Sequence, residues 1–460
     1  MGKKRRAVLR LEVPFSAEPP RLTSEAVGLA RILRRPAASY AMDVTILDVV
    51  DARLLRAGVT LAHRVVDGFG EWYLAAPDWT PHLPAERAEP VGASGDLPDE
   101  FARLIRPLLR HGVLGALAAL RCERDEWVLR TTAGEMAAVV RDEKVTIRRS
   151  GITTARYREI TITPTAHLTG QQRDFLLSAA QSVNATVLEE FPTIQQRLGA
   201  PATGLTSFPR PREIRPDASL EEFVAAVFTR HLDELVRAEL ARRAAASDDV
   251  GDINAKLWSM GRDLRGLSWV LEPEWREATE AALKGLPFAT PAEAESPLLT
   301  IIDALAGAAR APRLGDLAHR PAAEVMFQRA EQATLILADR CRSLTEDSSD
   351  EQWQSALRAA EQLEVVAAVA APLFPAVMGR ILRRLGDVTH DLRGCSLGSF
   401  AGEPALDGVS VQQAFQLGRD VERRRVKVSA ARAAFIGRWP ERVVEARRLL
   451  AKAKKKRSRK

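Results

Sequence analysis

Cysteine is scarce in this chain: Cys122, Cys341 and Cys395 are the only three in 460 residues. An odd, sparse count excludes a disulfide framework and fits a reducing compartment. None of the three has a second Cys or a His at metal-ligand spacing, and the seven His are scattered, so no metal centre of the zinc type is expected. Long apolar runs are lacking too. The most apolar stretch, Val365 to Val377, is too short to span a bilayer and contains Pro372 and Pro375. The basic start leads into AVLRLEVPFSAEPP, where Arg10, Glu12 and prolines break any signal-peptide core. These absences predict a soluble, cytoplasmic protein with no membrane partner.

Positive charge is present but not general. The formal net charge of +7 resolves into +4 over residues 1–6, −1 over 7–200, −9 over 201–420 and +13 over 421–460. A body that coats nucleic acid with basic surface is thereby excluded, and the surplus cations sit at the two ends. Aromatic residues do not interleave with the basic ones, so base-specific RNA readout is not expected. Otherwise the composition, 46% hydrophobic and 28% charged, is that of an ordinary globular chain long enough for about two or three domains.

Two periodicities divide the sequence. Leu9, Leu11 and Val13 alternate with Arg10 and Glu12, and similar period-two runs recur near 59–65, 71–75, 126–130, 136–148 and 156–163. Such alternation predicts strands with unlike faces, interrupted by helices at 23–34, 98–120 and 170–183. Residues 201–216 hold Pro201, Pro209, Pro211 and Pro216 and read as a linker. Beyond them Ser219 and Glu222 form a capping-box signature, and Phe223, Val224, Val227, Phe228, Leu232, Leu235 and Val236 follow at helical spacing. Further amphipathic stretches at 252–271, 273–285, 297–309, 321–344, 350–371, 375–393, 410–425 and 427–452 predict an all-α bundle.

These halves resemble a known pairing, a CYTH domain of the triphosphate-tunnel superfamily followed by a divergent CHAD helical domain. TILDVVDARLLRAGVTLAHR resembles the CYTH strand and the Leu-x-x-x-Gly-x-x-Leu-Arg-x-Arg segment after it. EWYLAAP, ERAEPV, RCERDEWVLRTTAGEMAAVVRDEKV, REITI and FPTIQQRLG follow in the family's order. In the second half MGRDLRGLSWVLEPEW resembles the Arg-rich first-repeat helix of CHAD. AVAAPLF and RRLGDVTHDL are similar to the end of the second repeat. The resemblance implies an α+β chain. An N-terminal antiparallel β-barrel, triphosphate-tunnel-like, occupies 7–200. The linker at 201–216, an all-α two-repeat CHAD-like bundle at 217–450 and a basic tail at 451–460 complete it.

In such a barrel, Lys and Arg neutralise phosphate oxygens while paired Glu hold Mg²⁺ or Mn²⁺. The family's Glu-x-Glu-x-Lys strand corresponds here to Arg10, Glu12 and Pro14, so only Glu12 matches. Arg64, Arg87, Glu89, Arg124, Asp142 and Glu159 also fit, whereas Ala62, Ala75, Thr161 and Thr193 replace expected charged residues. Because each charged contact is worth about 1.5–3 kcal/mol, these losses predict a degenerate site. Arg64, Arg87 and Arg124 are candidate phosphate contacts, with mutual Arg–Glu pairing as the structural alternative. If hydrolysis persists, Glu12, Glu89 and Glu159 are its candidates, with Mg or Mn as the only cofactor implied.

CHAD domains are associated with polyphosphate. Here the first-repeat His corresponds to Asn254 or Ala255, Arg262 and Arg265 remain on one helix face as candidate phosphate contacts, and Glu361 and Glu364 replace second-repeat cations. A polyanion is therefore expected at the C-terminal end, on Arg423, Arg424, Arg425, Lys427, Lys454, Lys455, Lys456 and Arg457. The leading expectation is a non-catalytic protein that binds a phosphate-rich polyanion, inorganic polyphosphate first among them, or acts as a scaffold. Non-specific nucleic-acid contact through the basic tail is a further possibility, as is a tail that serves solubility alone. The rivals are a divergent metal-dependent triphosphatase, acting on inorganic triphosphate or a nucleoside triphosphate, and a protein-interaction module.

Overall fold

The alternation at the start of the chain does produce a strand. In the computed structural model, β1 (Leu9–Val13) buries Leu9, Leu11 and Val13 and turns Arg10 and Glu12 to the opposite face. Pro14, which has no amide hydrogen to offer a ladder, follows its last residue. The structure describes residues 8–165, 167–247, 249–286, 291–396 and 410–457; the side chains of 285, 291, 292, 446, 447 and 449–457 lie outside that description. Two compact units are present, Met1–Phe208 with Val236–Asp248, and Pro209–Leu235 with Asp249–Lys460.

The first unit is built on β1, β2 (Leu29–Arg34), β3 (Tyr40–Asp48), β4 (Thr60–Val66), β5 (Phe69–Ala75), β6 (Arg87–Pro90), β7 (Gly115–Thr131), β8 (Met136–Arg149), β9 (Ile152–Pro164) and β10 (Thr186–Leu188). Neighbours pair antiparallel in the order β10-β1-β9-β8-β7-β3-β4-β5-β6. β7 serves two partners on one side, pairing with β3 through residues 115–124 and with β2 through 127–131.

The expected barrel is not formed. The sheet is open, with β10 and β6 at the two ends of its strand order and β2 beside β7 off that path. Closure would require those edges to exchange backbone hydrogen bonds, but β10 has three residues and β6 four, ending at Pro90. Alternation reveals that a strand has two unlike faces; it carries no information on whether the first and last strands meet. The expectation of a triphosphate tunnel falls with the barrel. Two predicted helices also change identity. Residues 29–34 form β2 after Gly28 turns the chain at a positive φ of 74°, and the run at 98–120 is helical only over Asp99–Leu109 before β7 begins.

Both faces of the sheet are covered in part by helices α1 (Arg53–Arg56), α2 (Asp99–Leu109), α3 (Gly170–Gln181) and α4 (Ile194–Leu198). On one face Leu9, Leu11, Ile160, Ile162 and Val140 pack under Leu176, Ala179 and Ala180 of α3. On the other, Ile46, Ala118, Val145 and Ile147 meet Leu55 of α1 and Leu198 of α4. Helix α4 starts in a full capping box, with Thr193 accepting from the Gln196 amide and Gln196 returning the bond. Asp48, at the end of β3, accepts from the amides of Val49, Leu54 and Leu55 and so fixes the start of α1.

The second unit is helical. α5 (Leu220–Ala244), whose residues fall in both units, is followed by α6 (Gly251–Gly266), α7 (Pro273–Gly285), α8 (Pro291–Arg310), α9 (Ala322–Arg342), α10 (Asp350–Ala370), α11 (Pro375–Gly394) and α12 (Val411–Arg457). The helices expected at 410–425 and 427–452 are a single element, α12, continuous through Pro440. Its middle turns are held by Phe435, which is buried against Trp353 of α10 at a ring-centroid distance of 5.7 Å and stacks on Trp439 at 5.6 Å. Toward its N-terminus the covering ends, and Val411 and Phe415 are exposed.

Phe435→Ala is expected to lower stability by about 3–5 kcal/mol, the usual cost of emptying a buried aromatic site. Urea denaturation followed by tryptophan fluorescence measures it. A loss below about 1 kcal/mol would mean that α12 is not seated by this ring.

Candidate functional site

The face of the sheet opposite Leu9 and Leu11 turns from apolar to charged along its strands. In antiparallel pairs, directly opposed residues share a face. The register therefore lines up Tyr40, Arg124, Glu143, Glu159 and Glu12 in one row across β3, β7, β8, β9 and β1. Arg10, Thr161, Arg141 and Glu126 form the adjoining row. Arg64 of β4 and Tyr73 and Glu71 of β5 extend the same face on the far side of β3.

Three carboxylates in adjacent strands would repel one another, and cations hold them. Arg197 of α4 donates to Glu12 at 2.6 Å and to Glu159 at 2.9 Å, bridging β1 and β9. Arg124 donates through Nε to Glu143 at 2.7 Å. Arg64 lies 3.6 Å from Glu71, and Glu126 takes both Arg35 at 2.6 Å and Arg141 at 3.6 Å. Arg10 donates to the Glu189 carbonyl at 2.9 Å.

The chain has three tyrosines, and every one lies on this face beneath an arginine. Arg64 sits over Tyr73 at 3.1 Å, Arg197 over Tyr157 at 4.2 Å and Arg124 over Tyr40 at 4.9 Å from the ring centroid. Each guanidinium thus has an acid beside it and lies over a ring, which restrains its position from two directions.

Protonation follows from this packing. Burial raises the Glu159 carboxyl above its ordinary value, and the nearby Glu143 and Glu12 add to the rise against the pull of Arg197. Burial likewise pushes up the hydroxyls of Tyr40, Tyr73 and Tyr157. The Cys122 thiol, on the same face, is raised to about 11, mainly by burial. A protonated thiol and neutral phenols supply no nucleophile at neutral pH.

The remaining candidates are distributed as follows. Arg87 and Glu89 of β6 stand opposite Leu74 and Trp72, hence on the other face from Glu12 and Glu159. There Arg87 pairs with both oxygens of Glu100 at 2.9 Å. Asp142 faces the same side as Ile160 and is buried with Arg158, which donates to it through Nε at 2.8 Å. The geometry therefore joins Glu12 with Glu159 and separates Glu89 from both.

In the second unit, Arg262 lies 3.1 Å from Asp263, which also takes Arg230 at 2.9 Å and His231 at 3.0 Å. Burial works against the Asp263 charge, but His231, Arg262 and Arg230 outweigh it and hold the carboxyl below its usual range. Arg265 is exposed one turn further on. Glu361, which stands where a cation was expected, pairs with Arg393 at 3.0 Å.

On α12, Arg432 reaches Asp350 at 3.0 Å and Arg442 reaches Asp391 at 2.8 Å, so its middle cations are spent on the bundle. Arg423 pairs locally with Asp420 at 3.1 Å, and Arg424, Arg425 and Lys427 are exposed. Lys454, Lys455, Lys456 and Arg457 continue the same helix, and their side chains lie outside the described residues.

Sequence reasoning missed Arg197, Glu143 and the tyrosines. Arg197 was legible as the cation one turn beyond the Thr193 capping box, and Glu143 as the neighbour of Asp142 with opposite facing. A Mg²⁺ or Mn²⁺ ion does not fit these residues, because Glu12 and Glu159 already share one guanidinium. Among the described residues no group of three or more His, Cys, Asp or Glu side chains is arranged to hold a metal ion. Nor is any described helix long and apolar enough to cross a membrane.

No family model and no curated protein matches this sequence. Among solved structures, a putative adenylate cyclase from Bacillus halodurans is similar at 14% identity and a TM-score of 0.23, over 35% of this chain and 83% of that one. A putative adenylyl cyclase from Hippeastrum, described as having a dominant triphosphatase activity, is similar at 14% identity and 0.22, over 40% and 91%. A protein from Pyrococcus horikoshii is similar at 10% identity and 0.21, over 40% and 95%. These likenesses are distant, and they transfer no activity or residue role to this chain.

The raised Glu159 carboxyl has a stability consequence whose sign is fixed. A carboxyl that binds its proton more tightly when folded contributes stability below the ordinary carboxylate range and loses it as pH rises through the raised value. Thermal denaturation of the wild type and Glu159→Gln between about pH 4 and 7 is expected to show the variant gaining on the wild type as pH rises. A difference that shrinks over that range would contradict the assignment.

Proposed function

We propose that this chain is a degenerate, non-catalytic relative of CYTH and CHAD proteins that binds a phosphate-rich polyanion, inorganic polyphosphate first among them, through α12 and the basic residues that continue it. The observation that carries this reading is the location of unneutralised charge. On the sheet face Arg64, Arg124, Arg141 and Arg197 each have a carboxylate partner, so the face offers little net attraction to an anion. In the bundle Arg262, Arg393, Arg432 and Arg442 are likewise matched with acids. From residue 421 onward the sequence balance is +13, and Arg425 and Lys427 stand exposed on α12.

A cluster of cations on an exposed helical stretch suits a flexible polyphosphate chain. Its binding releases condensed counterions and weakens as salt rises. The reading requires no base-specific contact and no metal. Hydrolysis is disfavoured by chemistry rather than by fold: Glu12 and Glu159 are engaged by Arg197, and Glu89 is on the opposite face of the sheet.

Replacing Arg423, Arg424, Arg425 and Lys427 together by Gln is expected to weaken binding of long-chain polyphosphate. The slope of log K against log salt should fall by about 0.7–0.9 for each cation that touches phosphate. Fluorescence anisotropy across a salt series measures both quantities. Unchanged affinity and slope would refute the contact, and salt-insensitive capture of a protein with no polyanion binding would favour the interaction-module reading. Incubation with tripolyphosphate and Mg²⁺ or Mn²⁺ is expected to release no phosphate; release that Glu12→Ala abolishes would overturn the non-catalytic assignment.

A further inference from the structure

Two cavities lie on either side of Trp439 and Val443 of α12, within the second unit. The first, about 150 Å³, is walled by Leu337, Leu363, Leu385 and Val388. Its charged rim is acidic on balance: Arg384 pairs with Glu445 at 2.9 Å and Arg442 with Asp391 at 2.8 Å, and Asp387 adds a further carboxylate. The second, about 300 Å³, is bounded by Cys341, Leu344, Ile436, Trp439 and Pro440. Arg342, the last residue of α9, is the only charged side chain in its lining among the described residues. That arginine is exposed, and no carboxylate partners it among the described residues.

This contrast sets the two cavities apart. A guanidinium at the rim of a cavity whose other lining side chains are apolar is complementary to an anionic group on an apolar body. We propose that the second cavity binds a small apolar carboxylate. Its ring or short chain lies against Trp439, Ile436 and Leu344, and its carboxylate lies on Arg342. The planar guanidinium fork matches two carboxylate oxygens, whereas a more highly charged phosphate would call for more than one cation. Cys341 takes no covalent part: burial raises its thiol to about 12, so it packs as an apolar wall. Because the chamber is formed jointly by the end of α9 and the middle of α12, an occupant also holds α12 on the bundle. The site shares no residue with the cations assigned to polyanion binding and stands independently of that reading.

Calorimetric titration and saturation-transfer NMR on the full chain, with benzoate as probe and benzyl alcohol as its uncharged counterpart, test the proposal. Benzoate is expected to bind saturably and about tenfold more tightly than benzyl alcohol at low salt, the usual advantage of one charge-assisted contact. Arg342→Gln, at an exposed position, should leave the melting temperature unchanged and erase the difference between the two probes. Leu344→Phe, which narrows the chamber, should weaken both. Absence of saturable benzoate binding would overturn the proposal. So would equal affinity for the two probes, or benzoate binding unaffected by Arg342→Gln.

Discussion

A single guanidinium holds together the charged face of the sheet. Arg197 reaches Glu12 on β1 and Glu159 on β9, which face each other in register beside Glu143 and would otherwise repel across neighbouring strands. Because that arginine comes from α4, the bridge also ties the helix to the strands and brings Leu198 into the apolar end of the same face. The capping box at Thr193 sets the start of α4, and the ring of Tyr157 sets the height of the guanidinium above the sheet. Removing one partner of such a half-buried pair costs more than the pair itself contributes, since it leaves a desolvated charge alone.

The same logic of internal neutralisation runs through the molecule. Buried Asp263 gathers His231, Arg230 and Arg262, Asp391 receives Arg438 and Arg442, and Asp350 receives Arg432. Charges that attract one another within the fold are withdrawn from ligands. The sequence's surplus of positive charge lies from residue 421 onward, where the balance is +13. The net charge of +7 is therefore a sum over unlike parts, most of whose arginines in the sheet and the bundle face acids within the fold.

Much of this was legible in the sequence, and the failures have physical causes. Strand alternation located β1, β4, β5, β8 and β9, because a two-faced strand imposes a period of two on its side chains. The helical second half was equally plain from its periodicity. Closure of the sheet was not legible, since it depends on edge pairing between residues far apart in sequence. β2 was misread as a helix because Leu29, Ile32 and Leu33 fall at helical spacing, and only the partnership with β7 makes the segment a strand. At the candidate site, Glu12, Glu159, Arg64 and Arg124 were anticipated, but Arg197 was not, because it arrives from a helix rather than from the strand motif. Glu89 and Arg87 were expected beside them and lie on the other face, where one register of pairing with β5 turns both away.

The charged face of the sheet is already filled by its own arginine. The three tyrosines, all on the face, make it observable by NMR of a sample labelled only in tyrosine rings. On addition of tripolyphosphate, the rings of Tyr40, Tyr73 and Tyr157 are predicted not to shift in the wild type. Replacing both Glu12 and Glu159 by Gln should free Arg197 and let the Tyr157 ring respond. Saturable shifts of the three rings in the unaltered protein would show that the face is open to anions.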